Sequence, residues 1–328
     1  MRFAMRTRRR LRLGAALLGM LAFAGAQAQD YPSRPVRVIV PWAAGGSTDS
    51  LGRILAAKLG EYAGQQFVID NRPGATGTIG HAQLAKSPPD GYTLLLGSNS
   101  TFSIAPFLYK SLPYDGETAF APVALVATNP QILSLHPSVP AANVKAFIAL
   151  AKARPGEIVF SSAGSGATSH LATELLIMMT GIKMVHVPYK GGGPSAQALL
   201  AGETMMSFVD VITCLPFARA GRLRPIGTSG AKRTPLMPDV PTLAESGLPG
   251  YESSTTFAMF APAGTPKEII TKLNREVLRA LASPDVKERL ANQGMETIGG
   301  TPEEFVAYNR REMQKWSKVI RERGIKVE

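Results

Sequence analysis

The sequence predicts an α/β protein of two similar domains joined by a two-crossover hinge. Three observations predict it. β-rich runs alternate with amphipathic helical runs along the chain, the pattern of helices layered on mainly parallel sheets. Two blocks of this alternation begin near residues 31 and 129, separated by breaks at Thr128-Asn129-Pro130 and Gly247-Leu248-Pro249-Gly250. The 328 residues, 45% hydrophobic and 18% charged, are enough for two cores of ordinary globular composition. The helices beyond residue 250 are expected to return to the first block. That gives two connections and a hinge near 128 and 250, in preference to one continuous sheet.

The N-terminal segment reads as an export leader. Residues 1–14 hold six arginines and no acid, a short apolar run follows, and Ala26-Gln27-Ala28 forms a small-residue cleavage site. The apolar run is shorter than the roughly 20 residues that a membrane-spanning helix needs. The mature chain is therefore expected to start near Gln29 and to be periplasmic. Taking those six arginines from the formal charge of +12 leaves +6 over 300 residues, too thinly spread for a nucleic-acid surface. The single cysteine, Cys214, excludes an internal disulfide and a thiolate metal cluster.

In the first block, Arg37–Val40 is a strand that runs into Trp42-Ala43-Ala44-Gly45-Gly46-Ser47-Thr48-Asp49, and Ser50–Gly60 has helical spacing with Leu51, Ile54, Leu55 and Leu59 on one face. Phe67–Asp70 and Tyr92–Leu96 are further strands, with a helix near 79–86 between them. The third strand closes on Gly97-Ser98-Asn99-Ser100. In the second block, Ile132–Leu135 is a strand and Val144–Ala153 a helix. The strand Glu157–Phe160 enters Ser161-Ser162-Ala163-Gly164-Ser165-Gly166-Ala167-Thr168 before a helix over 169–179. Lys183–Val187 leads to Tyr189, Lys190 and three glycines, and a helix over 195–201 follows. Met205–Val209 ends at Asp210, and Arg224–Thr228 is a strand. Phe257–Phe260 is a strand, and 267–282 and 303–323 are helices.

Three strand-end loops carry the chemistry: Trp42–Asp49, Gly97–Thr101 and Ser161–Ser169. In α/β sheets the crevice at the strand carboxyl ends is where ligands bind. A helix starting there offers unpaired backbone N–H groups and about half a positive charge. Glycine admits close approach, and Ser47, Thr48, Ser165, Thr168 and Ser169 add hydroxyl donors. The result is an anion site without a fixed cation. A side chain at Gly46 is expected to obstruct that approach and to force a dihedral closed to other residues. Each loop taken singly also reads as an ordinary capped turn; two matched loops in two blocks favour a clamp. Asp49 reads equally as a ligand group or as stabilising the first turn of its helix. Tyr189, Lys190 and Asp210 read as cleft walls or plain loop residues. His170 reads as a structural hydrogen-bonder; His81, His136 and His186 lack metal-ligand spacing with it.

Enzyme motifs are absent. Ala163 and Ala167 occupy the glycine positions of a nucleophile elbow at Ser165, and no phosphate loop, dinucleotide fingerprint or zinc-protease motif occurs.

These residues resemble the Bug family, the extracytoplasmic solute receptors of tripartite tricarboxylate transporters. The resemblance spans 31–328. It rests on Tyr31-Pro32-Ser33-Arg34-Pro35-Val36, Pro41–Asp49, Asn71-Arg72-Pro73-Gly74-Ala75, Asp90-Gly91-Tyr92-Thr93-Leu94-Leu95, His186-Val187-Pro188-Tyr189-Lys190-Gly191, Pro238–Glu245 and Ala261–Pro266, in family order. It implies a periplasmic-binding-protein type II-like fold, a Venus-flytrap clamp without catalysis, metal or cofactor. It implies a first domain of 29–128 plus 251–328 and a second of 129–250. The implied ligand is a small carboxylate, held by Ala44, Gly45, Gly46, Ser47, Thr48 and Asp49 opposite Ser165, Gly166, Ala167, Thr168 and Ser169. Ser98 and Asn99 of the Gly97–Thr101 loop are further candidate ligand residues. Trp42 stands where the family usually has Phe, and Phe257 lies in a segment that departs from the family pattern, so both bear on the pocket walls. The implied partner of this expected monomer is the inner-membrane permease of a tripartite tricarboxylate-type transporter. A ligand-sensing receptor that passes its state to a signalling protein uses the same fold, and a hydrolase built on Ser165 is the enzyme alternative.

Overall fold

The computed structural model describes residues 31–327; the leader and its cleavage site lie outside the described residues. From Arg34 onward the described residues form one compact unit. The first block contains β1 (Val36–Val40), α1 (Ser47–Ala63), β2 (Phe67–Asn71), α2 (Thr78–Ala85), β3 (Thr93–Ser98), a π-helical turn (Ser100–Ile104), α3 (Ala105–Leu108) and β4 (Phe120–Leu135). The second contains α4 (Val144–Ala153), β5 (Ile158–Ser162), α5 (Thr168–Thr180), β6 (Met184–Pro188), α6 (Gly192–Leu200), β7 (Met206–Asp210), α7 (Val211–Arg219) and β8 (Arg224–Thr228). The chain ends with β9 (Ser254–Pro262), α8 (Lys267–Ala282), α9 (Pro284–Ala291), β10 (Glu296–Thr297) and α10 (Pro302–Arg323).

The strands run in the order β2-β1-β3-β9-β4-β7-β5-β6, with β8 and β10 also on β4. Pairing is parallel among β1, β2 and β3 and among β5, β6 and β7. It is antiparallel where β9 meets β3 and β4, and where β4 meets β7. The mainly parallel arrangement expected from alternation is thus a mixed one, because β9 returns through the middle in the opposite sense.

The expected break at Thr128-Asn129-Pro130 is not a loop. It lies inside β4, a strand of 16 residues. Proline has no N–H to give a ladder, and β4 changes partners there: Pro130 pairs with Ser254 of β9, and Gln131 pairs with Asp210 of β7. β4 therefore pairs within the first block up to Pro130 and within the second from Gln131 onward.

A first and a second core lie on either side of the join, with a further buried cluster around Ile132 and Val209. Ile39, Leu95 and Phe260 belong to the first, and Leu133, Phe160, Leu171 and Phe208 to the second. α10 serves both. Its Phe305 packs in the first core, while Trp316, Val319 and Ile320 pack in the second. The spacing of these residues at three and four sets one buried stripe along the helix. A capping box starts it: the Thr301 hydroxyl accepts from the Glu304 N–H, and the Glu304 carboxylate accepts from the Thr301 N–H. Gly324 ends it with φ of 63°. The C-terminal helices therefore do not simply return to the first block; the last of them straps the two together.

His81 on α2 is 1% exposed and rests against Tyr114 and Phe120. Its Nδ1 donates to the Gly77 carbonyl at 3.0 Å. Burial pushes its pKa down to about 4. The unfolded chain, with histidine near 6.5, binds more protons than the folded one between these values, so stability falls as pH drops from about 6.5 to about 4. His81→Phe should remove about 2–3 kcal/mol of the stability difference between pH 7 and 4.5. Urea denaturation of both proteins at the two pH values checks this; equal losses would show that His81 contributes none of the acid sensitivity.

Candidate ligand-binding site

The first loop follows β1 and opens α1. Gly45 takes φ of 84°, which other residues adopt only with strain, whereas Gly46 sits at φ −81°, ψ 173°. A Cβ on Gly46 would meet only the Ala43 carbonyl oxygen, at 3.6 Å. The dihedral constraint expected at Gly46 therefore falls on Gly45 instead. Gly46 is the N-cap and has no side chain to cap α1. The first intrahelical donor is the Ser50 N–H, bonded to the Gly46 carbonyl at 3.0 Å, so the preceding N–H groups have no helical partner.

Asp49 organises this loop. One carboxylate oxygen accepts from the Gly45 N–H and from Arg53 Nε, both at 3.0 Å; the other accepts from Asn71 Nδ2 at 3.0 Å. Asn71 Nδ2 also donates to the Trp42 carbonyl at 3.1 Å. Burial alone would raise the Asp49 pKa, but the hydrogen bonds from Arg53, Gly45 and Asn71 outweigh it and hold the group below the usual carboxylate value. The Asp49 charge is thus balanced by Arg53 at the helix start.

The second loop follows β5 and opens α5. Gly164 and Gly166 take φ of 134° and 80°. The Ala163 N–H donates to Ser169 Oγ at 3.0 Å, and the Gly166 N–H donates to His170 Nδ1 at 3.1 Å. The N-cap is Ala167, with no side-chain cap. The loop after β3 joins this one directly, because Ser100 Oγ and Thr168 Oγ1 lie 3.0 Å apart. Two helix N-termini, one from each block, are thus built without side-chain caps, and a strand-end loop of the first block touches the start of α5.

The other predicted residues are placed as follows. Ala44, Gly45 and Gly46 are exposed, Trp42, Ser47 and Ser165 are half-buried, and Thr48 is buried. Both side-chain polar atoms of Asn99 are engaged: its Nδ2 donates to the Ser254 carbonyl at 2.9 Å and its Oδ1 accepts from the Thr256 N–H at 3.2 Å. It staples β9 to the end of β3. The Ser98 hydroxyl and Trp42 Nε1 are buried with no hydrogen-bond partner among the described residues. Tyr189 reaches away to Glu203, to which its hydroxyl donates at 3.1 Å, and Lys190 is exposed. Asp210, facing Gln131 at 3.4 Å, has its pKa raised by burial. Phe257 is 0% exposed within β9. A separate cavity of about 470 Å³, lined by His81, Phe102, Tyr114, Phe260 and Phe305 among others, brings together none of the predicted site residues.

Arg53 escaped the sequence reading, as did the contacts that Asn71 and Ser100 make with Asp49 and Thr168. So did the pairing of His170 with His186, whose rings stack 4.0 Å apart. The glycine-rich stretch that begins at Asn71 and the Gly97–Thr101 loop were the sequence signals for two of these.

A family model described as the tripartite tricarboxylate transporter family receptor matches residues 51–325. Protein BugT of Bordetella pertussis is 40% identical over 301 residues, covering 92% of each chain. The structure of Rhodopseudomonas palustris Rpa4515 with adipate superposes with a TM-score of 0.85 at 39% identity, covering 91% of this chain and 100% of that one. MatC (Rpa3494) from Rhodopseudomonas palustris, with bound malate, gives 0.80 at 32% identity, covering 88% and 100%.

Proposed function

The chain belongs to the tripartite tricarboxylate transporter family of receptors, and from that membership we propose that it captures a small dicarboxylate in the periplasm and delivers it to an inner-membrane permease. It is a solute-binding receptor of the two-lobed type II-like fold and not an enzyme. The adipate and malate held by its structural relatives support the dicarboxylate class. The observation that carries the reading is the pair of uncapped helix N-termini, α1 and α5, on the two blocks. Each offers N–H groups and a positive dipole end to one carboxylate. His170 Nδ1, on the helix that this loop opens, accepts the Gly166 N–H.

In this reading the lobes are 29–128 with 251–328, and 129–250. β4 and β9 cross between them, the protein works as a monomer, and its leader is removed at Ala28-Gln29. Closure of the lobes on ligand should compact the molecule in small-angle scattering, and an unchanged radius at saturation would contradict closure. A thermal-shift screen over adipate, malate, citrate, acetate and neutral amino acids tests the ligand class. A ligand specific to the folded state adds about 2.7 kcal/mol at a hundredfold excess over Kd. Stabilisation by a dicarboxylate and not by acetate or the amino acids is expected; the reverse pattern would overturn the assignment.

A further inference from the structure

The second loop is not an isolated turn. Its Gly166 N–H donates to His170 Nδ1 at 3.1 Å, which leaves the imidazole proton on Nε2, facing Glu174 Oε1 at 3.5 Å. The other Glu174 oxygen accepts from Arg323 Nε at 2.7 Å. Arg323 is the last residue of α10, the helix whose Phe305 packs in the first core and whose Trp316 packs in the second. Glu174 is 7% exposed whereas the Arg323 side chain is 36% exposed, so the contacts run from the interior beside the loop out to the surface end of α10. Burial opposes the Glu174 charge, and His170 and Arg323 together hold it ionised.

Around the imidazole, Phe160 of β5 and His186 of β6 stack on the ring, and the Ser162 hydroxyl in turn holds His186 Nε2 at 2.7 Å. The ring therefore cannot turn away from Gly166 without disturbing the floor of the loop. The tail beyond α10 reaches the same turn: a Cβ on Gly166 would lie 2.3 Å from Leu108 and 3.7 Å from Val327.

We propose that His170 is a positioning residue for the second ligand loop, and that Glu174 and Arg323 tie it to α10, so that the loop is ordered only while the C-terminal strap is seated across both blocks. The proposal rests on the carboxylate reading for its functional meaning, but its structural half stands apart from any ligand. When Arg323 leaves Glu174, the buried carboxylate is left to His170 alone. That pulls the ring from the geometry in which Nδ1 accepts the Gly166 N–H. Seating of the strap and readiness of the loop are then one event, and the C-terminal end of α10 belongs to the binding machinery although it offers the ligand no atom.

The test has two arms. In the ligand-free full-length protein, hydrogen exchange by mass spectrometry should show the 163–171 peptide exchanging about tenfold faster in Arg323→Gln and His170→Phe than in the wild type, with the 43–51 peptide unchanged. His170→Asn, which keeps an acceptor oxygen near the Nδ1 position, should restore protection; a role in packing alone would not be rescued by the smaller side chain. In the second arm, adipate is titrated calorimetrically into the same proteins. Arg323→Gln should weaken its Kd about five- to tenfold, with a normal thermal transition. If adipate does not bind the wild type, malate replaces it in this arm; if neither binds, the carboxylate reading fails and the exchange arm alone decides the coupling. Exchange at 163–171 equal to wild type in Arg323→Gln and His170→Phe, or adipate affinity within twofold where the wild type binds, overturns the proposal.

Discussion

Gly166→Ala should lose about 2–4 kcal/mol of stability and most of the ligand affinity. Two costs combine there. Gly166 has φ of 80°, a conformation that other residues take only with strain. A Cβ would also lie 2.3 Å from Leu108 Cδ1, and Leu108 is 4% exposed within the second core, so it has little room to yield. Relief of that clash must move the turn that holds the Gly166 N–H on His170. Gly181→Ala is the control: its φ is 69° and a Cβ there meets nothing within 4 Å. It should show strain of about 1 kcal/mol and unchanged affinity. Urea denaturation and calorimetric titration of the pair separate strain from packing. Equal behaviour of the two variants would show that the Leu108 contact does not matter.

Asp49→Ala should disorder the first loop, with a loss of about 2–4 kcal/mol and at least a tenfold weaker Kd. The Gly45 N–H and Asn71 Nδ2 lose a buried charged acceptor, whereas Arg53, with a side chain 56% exposed, can turn to water. The carboxylate is held below its ordinary value, so its contribution is present above the unfolded-chain value near 3.8 and is lost only as pH falls through the lower, folded value. The deficit of the variant should therefore be the same at pH 7 and pH 5.5. Denaturation at both pH values checks it. A deficit that disappeared at pH 5.5 would mean that Asp49 is not held as an anion by these partners.

Local elements were legible where hydrophobic spacing stands alone. α4 at Val144–Ala153 and α8 at Lys267–Ala282 fall where periodicity puts them. The first twelve residues of β4 were missed because Pro122, Asn129 and Pro130 punctuate the segment like a loop. β4 tolerates them by shifting register and changing partners, which only its neighbours reveal. The glycine-rich turns marked the candidate loops, but not which of Gly45 and Gly46 bears the positive φ; that depends on where α1 starts. The groups that set the loops were invisible for a different reason. Asn71 is 22 residues from Asp49, Thr168 is 68 from Ser100, and Arg323 is 149 from Glu174. Such pairs arise only when α1 meets the end of β2, the turn after β3 meets α5, and α5 meets α10.

The central claim is that the loops at Thr48 and Ser165 clamp a carboxylate and do not merely start helices. Calorimetric titration of Thr48→Val and Ser165→Ala with the tightest dicarboxylate from the screen tests it most directly. Each change removes one hydroxyl and keeps the backbone. A lost hydrogen bond to a charged group is worth about 1.5–3 kcal/mol, so each Kd should rise roughly ten- to a hundredfold with denaturation midpoints unchanged. Affinities within twofold of the wild type, accompanied by lost stability, would contradict the clamp and leave both residues as helix-start residues only.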